Sequence, residues 1–302
     1  MATKLKDFSY KWIEEKKKNV KYSTYCAYLT ILENKINPFF AENELSSESI
    51  ILFISSLEKE GLCNKSVKDI MTVLKMIVKY MVKENVISKD QVTFDEKVKE
   101  TRKNIDVLSN GDYKRLYHYL YNNFNFLNLG IIIAMSTGLR IGEICALKWK
   151  DIDIEMGEII VSKTLQRVYN KNEERTEIVI DSPKTFESNR KVPITSNLLK
   201  LIKPLMKIVN IDFYVLSNSM KPIEPRTFRE HFHRVLSCLQ IRHVKFHCLR
   251  HTFATRCVDA GCDYKALSSI LGHSNISTTL DLYVHPTNEQ KRKCVEKMIK
   301  KI

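Results

Sequence analysis

The feature that most constrains this chain is a break in its apolar pattern. Periodicity fades over residues 85–107, and in the run DEKVKETRKNID, Asp95 to Asp106, eight of twelve residues are charged. Such a run cannot carry a hydrophobic core across itself. The chain must therefore pack as two units, and 302 residues suit two domains. The reading is a helical domain over 1–100, an exposed linker over 101–107, and a second domain over 108–302.

Before the break the spacing is helical throughout. Leu5, Phe8, Trp12 and Ile13 form one apolar stripe. A second pattern starts after Ser23 and should end near Pro38. Ser46 or Ser47 can cap a third that stops at Gly61. Asn64 or Ser66 opens a fourth, with Val67, Ile70, Met71, Leu74, Ile77, Val78 and Met81 on one face. The result is a helical bundle with no catalytic constellation. Lys65, Lys68, Lys75 and Lys79 alternate with the apolar face; they keep the helix soluble or form a stripe facing DNA. The run Lys16–Lys18 reads as a solvated helix end.

After the break, Ser109 and Asp112 mark a helix start, and Phe126 to Met135 is apolar enough for a buried helix. In TGLRIGE, Gly138 breaks that helix and places Arg140 on a turn. Either Arg140 pairs with Glu143 at the surface, worth about 0–1 kcal/mol, or it binds phosphate with Glu143 steering it. Short β-branched segments then predict strands at Ile152–Ile154, Glu158–Val161, Glu177–Ile180 and Arg190–Ile194. Lys184 sits near the apex of the loop DSPKTFESNR. Ser196 to Val209 reads as a helix kinked at Pro204, and Pro225 opens another. On the latter, Thr227, Arg229 and Arg234 are candidate phosphate or groove contacts.

Charge narrows the function. The net charge is +14, the footprint of a polyanion binder. It is uneven: 19 basic against 16 acidic side chains in residues 1–107, and 30 against 19 in 108–302. No apolar run approaches the roughly 20 residues of a membrane span, and MATKLKDFSY lacks a signal-peptide core. Eight cysteines occur without a CxxC pair, so reduced thiols in a reducing compartment are expected.

The chemistry concentrates near the C-terminus, in HCLRHTFATRC and LGHSNISTTLDLY. Arg250 offers a planar fork of donors that fits phosphate oxygens. His247 and His273 can move or donate protons near neutral pH. Tyr283 can act as a nucleophile if neighbours stabilise its anion. His247 and His251 also have zinc-compatible i, i+4 spacing, but no HExxH glutamate or third ligand accompanies them. His251 therefore reads as a packing or supporting residue, and Cys248 as a buried, inert thiol.

In order, Arg140, Lys184, His247, Arg250, His273 and Tyr283 stand in TGLRIGE, SPKTFESNRKVPI, HCLRHTFAT, LGHSN and TTLDLYVH. This set resembles the tyrosine recombinase (phage integrase) family over about 108–285. The resemblance implies a mainly α fold with a small antiparallel sheet: an N-terminal SAM-like core-binding domain and an α+β catalytic domain, together a C-shaped clamp on DNA. It implies Tyr283 as the nucleophile forming a 3′-phosphotyrosyl bond, and Arg140 and Arg250 as the clamp on the non-bridging oxygens. Lys184 would be the general acid, His247 the proton acceptor, His273 a transition-state donor and Glu143 a supporting acid. No metal or other cofactor is implied.

The expected partners are double-stranded DNA core sites and a homotetramer in the synaptic complex, formed from chains that are monomeric when free. An accessory directionality factor is an optional partner. The expected role is integration or excision of a mobile element through a Holliday junction, in the cytoplasm at the nucleoid. A tail helix over 287–302 is expected to exchange between protomers. No basic domain precedes Leu5, so a separate arm-type DNA-binding domain is not expected. Two other readings are a catalytically silent DNA-binding regulator of the same fold and a type IB topoisomerase-like enzyme.

Overall fold

The computed structural model describes residues 2–94, 105–170, 173–181 and 189–284, together with 288, 292, 295 and 296. It divides into two compact units, residues 1–103 with 168–177, and residues 104–167 with 178–302.

The first unit is a bundle of α1 (Ala2–Lys17), α2 (Tyr22–Ile31), α3 (Asn37–Glu42), α4 (Ser47–Lys59) and α5 (Asn64–Lys83). The apolar stripe of α5 is buried as its spacing predicts. It packs with Leu5, Trp12, Ile13, Leu32, Ile36 and Phe53 in one core. Ser46 caps α4 by accepting the Ser49 N–H at 3.1 Å. Pro38 does not end the second pattern. A π-helical segment, Leu32–Ile36, carries the chain from α2 into α3, and Pro38 lies in the first turn of α3, where a missing N–H costs little. Ahead of the expected linker, Val92 is buried and the Thr93 N–H donates to Ser47 Oγ at 3.0 Å; most of the linker itself lies outside the described residues.

The second unit is built around α7 (Phe126–Thr137), buried on almost every side. It packs against α6 (Asn110–Asn122), α8 (Ile141–Ala146), α9 (Ser196–Leu205), α10 (Pro225–Cys238) and α11 (Cys248–Asp259). Two short helices, α12 (Tyr264–Leu271) and α13 (Ile276–Tyr283), close it. Pro204 lies in the last turn of α9, and the helix ends there rather than continuing kinked to Val209.

The strands form two sheets. Strands β1 (Ile152–Asp153), β2 (Glu158–Val161) and β5 (Arg190–Pro193) make an antiparallel sheet in the order β1-β2-β5, with Ile159 opposite Val192. Strands β3 (Thr164–Asn170) and β4 (Arg175–Asp181) pair with each other. β3 was not predicted; its sequence TLQRVYN has polar residues that break the β-branched pattern, and only Leu165 and Val168 are buried.

Among the described residues no helix is long and apolar enough to cross a membrane. The loop holding Lys184, and His285 after Tyr283, lie outside the described residues, as does nearly all of the tail expected to exchange.

Candidate active site

Two glycines set the site's frame. Gly138 ends α7 at φ +67° and Gly272 ends α12 at φ +66°, a left-handed conformation costly for other residues. Space is closed as well: a β-carbon on Gly138 would lie 2.6 Å from the Phe253 ring, and one on Gly272 3.0 Å from Arg190. The two turns leave carbonyls at the negative ends of α7 and α12.

Guanidinium groups collect on those carbonyls. Arg250 is fully buried and donates through Nη1 to Gly138 O (3.0 Å) and through Nη2 to Leu271 O (2.7 Å). Arg190 donates through Nε to Ile270 O at 2.5 Å. Arg140 donates through Nη2 to Gly272 O at 3.3 Å. One carboxylate serves this group. Glu143 Oε1 accepts from Arg140 Nη1 (2.8 Å) and Arg190 Nη1 (3.0 Å), while Oε2 accepts the Arg140 backbone N–H (2.8 Å) and Arg190 Nη2 (3.1 Å). Burial opposes ionisation of Glu143, but the Arg190 hydrogen bonds and the charges of Arg190 and Arg140 together hold its pKa below the usual range. The Glu143 side chain is only 3% exposed, so the pair with Arg140 is not a surface pair.

Three guanidinium groups therefore surround one carboxylate, which Arg140 and Arg190 contact directly. Burial and the Arg140 charge press on Arg250, yet a guanidinium remains protonated at neutral pH. The excess positive charge lies beside both histidines of the expected set. Burial, then the Arg250 and Arg140 charges, push the His273 pKa down to about 4. His273 Nδ1 lies 2.8 Å from Thr279 Oγ1, which fixes the ring. His247 immediately precedes α11, and its side chain makes no capping hydrogen bond there. The protein packed against it, then His251, Arg250 and Arg140, push its pKa down to about 4 as well, although one side of its ring faces solvent. Both rings are neutral at physiological pH.

Tyr283 ends α13 and is buried. Burial raises its pKa, and the charges of Arg250 and Arg140 oppose that rise. Its hydroxyl lies 2.7 Å from His251 Nδ1. His251 in turn meets the His247 ring edge-on, with centroids 4.6 Å apart.

Arg140, Glu143, His247, Arg250, His273 and Tyr283 are thus brought together. The sequence reading missed two members. Arg190 carried a signal: on β5 it alternates in phase with buried Val192, so the strand turns it inward. His251, expected as a packing or supporting residue, contacts the tyrosine hydroxyl directly. Its i, i+4 spacing from His247 was visible, but the position of Tyr283 relative to α11 was not. Thr227, Arg229 and Arg234 are exposed on α10.

Family models and known proteins match this chain over most of its length. The model of the phage integrase family matches residues 106–290, and that of the phage integrase N-terminal SAM-like domain matches residues 4–47. A tyrosine recombinase XerC-like protein of Caldanaerobacter subterraneus subsp. tengcongensis is 28% identical over 276 residues, 83% of this chain and 70% of that protein. The ICEBs1 integrase of Bacillus subtilis is 26% identical over 282 residues, 89% of this chain and 75% of that one. The fold is similar to that of the Tn1549 transposon integrase solved with a circular intermediate DNA, with a TM-score of 0.80 at 24% identity, covering 97% of this chain and 99% of that one. The family match spans more than half of the chain and takes in every residue of the site just described: this protein belongs to the phage integrase family of tyrosine recombinases.

Proposed function

We propose that this protein is a site-specific recombinase of a mobile element, cutting and rejoining double-stranded DNA through Tyr283. The observation that carries the proposal is the charge imbalance. Three guanidinium groups around a single carboxylate, set against a tyrosine hydroxyl, form a site that is incomplete without an anion. A phosphate diester supplies one negative charge and two non-bridging oxygens.

In this reading the Tyr283 oxygen bonds to phosphorus as its proton leaves. The bond from phosphorus to the 5′ oxygen breaks, and that oxygen takes up a proton. Arg140 and Arg250 hold the non-bridging oxygens, and His273 donates a hydrogen bond as charge builds on them. The family resemblance makes His247 the proton acceptor and Lys184 the acid for the leaving oxygen. The covalent link keeps the energy of the broken bond, so a 5′ hydroxyl can reverse the step without ATP. Rejoining to a second duplex then gives recombination, within a tetramer on two DNA sites.

The test is cleavage of nicked suicide duplexes drawn from DNA flanking the gene. A denaturant-resistant protein–DNA adduct is expected with the wild type and is lost completely in Tyr283→Phe, while gel-shift affinity stays within about twofold. Binding without an adduct would favour a silent DNA-binding protein. Lys184→Ala should cleave slowly and recover on a 5′-bridging phosphorothiolate, whose sulfur leaves without a proton.

A further inference from the structure

We propose that His251, not His247, is the group that takes the proton from Tyr283. The inference rests on the reading of Tyr283 as nucleophile. The family motif directs attention to His247, but the geometry points elsewhere. His251 Nδ1 is the ring atom hydrogen-bonded to the Tyr283 hydroxyl, at 2.7 Å. That distance suits a proton moving between heteroatoms without any rearrangement.

Helix geometry explains the division of labour. His247 and His251 are one turn apart on α11, so both rings project from the same side. Arg250 lies between them in sequence and points into the protein to Gly138 and Leu271. His247, at the solvent-facing start of the helix, stands beside Arg140 and Arg250, where a phosphate would bind. His251 is half-buried one turn further in, at the hydroxyl. His247 is therefore placed to hydrogen-bond phosphate, and His251 to accept the proton. For this, His251 carries its own proton on Nε2, with the Nδ1 lone pair toward Tyr283.

The surroundings hold the pair idle until DNA arrives. The His251 ring faces His247 and Arg250 of its own helix, Asp106 from the segment before α6, and Tyr283 of α13. Burial first, and then the Arg250 charge, resist an imidazolium here, with Asp106 opposing them. Burial likewise keeps the proton on Tyr283. A bound phosphate diester places a negative charge against the same arginines and removes part of the opposition to a charged His251. As the Tyr283 oxygen attacks phosphorus, its proton passes to Nδ1 and the lone pair left on oxygen forms the new bond. The proton returns when the 5′ hydroxyl displaces the tyrosine.

The test is single-turnover cleavage by the full chain on a flanking duplex that it binds in a gel shift. His251→Asn keeps a polar atom near the Nδ1 position but cannot take up a proton. We expect adduct formation to slow at least about 100-fold, with affinity within about twofold. The defect should persist on a 5′-bridging phosphorothiolate, because it concerns the nucleophile and not the leaving group. The wild-type rate should rise with pH through a histidine pKa below the ordinary value of about 6.5, and that rise should be missing in His251→Asn. In His251→Ala, added imidazole should restore cleavage in proportion to its neutral form. Cleavage by His251→Asn within a few-fold of wild type, or DNA-binding His251→Ala that imidazole does not rescue, would overturn the inference and leave the role of Tyr283 standing. A wild type that binds the duplex yet forms no Tyr283-dependent adduct would overturn both.

Discussion

The two units of the molecule keep their charge in opposite ways. In the first, every charged side chain whose burial is described lies at least partly in solvent, and the buried polar residues among these are only Ser9, Asn37 and Ser49. In the second, Glu143, Arg190 and Arg250 are buried together, two cations to one anion, with half-exposed Arg140 as a third cation. A bundle that needs only to fold has no reason to desolvate charge. The second unit accepts that cost at one place, where two helix C-termini and one carboxylate compensate it incompletely. The first unit's lysines make their contacts at the surface, as Lys35 does with Glu60 and Lys75 with the Phe94 ring, whereas Arg140, Arg190 and Arg250 hold the tyrosine site in shape.

Breaking the buried cluster should produce the largest effect. Glu143→Ala leaves buried Arg190, and Arg140 beside it, without their carboxylate and should cost about 3–5 kcal/mol of unfolding free energy, measured in urea. Glu143→Leu combined with Arg190→Met removes both charges and should recover most of that loss while adduct formation stays impaired. If the double variant cleaves as fast as wild type, the cluster is a folding element only, and the contrast between the units loses its functional meaning.

Acid should reveal the same asymmetry. The Glu143 pKa is depressed in the folded protein, so its stabilising contribution is present above the unfolded carboxyl value of about 4.3. It is lost as pH falls through the lower folded value. The stability gap between wild type and Glu143→Gln should therefore hold from pH 7 to about pH 5 and narrow below pH 4. A gap that is constant across this range would mean that the glutamate acts by shape and not by charge.

Gly272→Ala should have an intermediate effect, about 1–3 kcal/mol, since φ +66° and the Arg190 side chain both oppose a β-carbon. It should also slow adduct formation, because the Gly272 carbonyl holds Arg140. Melting temperature and single-turnover cleavage measured on one preparation would show whether the two losses travel together.

How far the sequence could be read follows the same division. Apolar spacing located α1, α4, α5 and α7 because a helix stripe is a local property. It failed at Pro38, where a π-helical segment let the chain continue, and at β3, whose pairing with β4 depends on a distant segment. The motif residues Arg140, His247, Arg250, His273 and Tyr283 were legible as types in order. The roles of Arg190 and His251 depend on which carbonyl or hydroxyl the fold brings within 3 Å, and no local pattern encodes that.

The smallest stability effect is expected on α5, where Lys65, Lys68, Lys75 and Lys79 are exposed. Changing all four to glutamine should move the unfolding free energy by no more than about 0.5 kcal/mol per site, since all four side chains are exposed and the ring under Lys75, Phe94, is itself only partly buried. DNA binding separates the two meanings left open for this stripe. Each lysine that lies on a phosphate releases a counterion, so its loss should reduce the slope of log affinity against log salt by about 0.9. A reduced slope with unchanged stability would make the first unit an electrostatic grip whose charge is held ready at the surface. An unchanged slope would mean that these lysines only solvate the helix, and that the salt-dependent affinity of the protein comes from elsewhere, with the more basic residues 108–302 the first place to look.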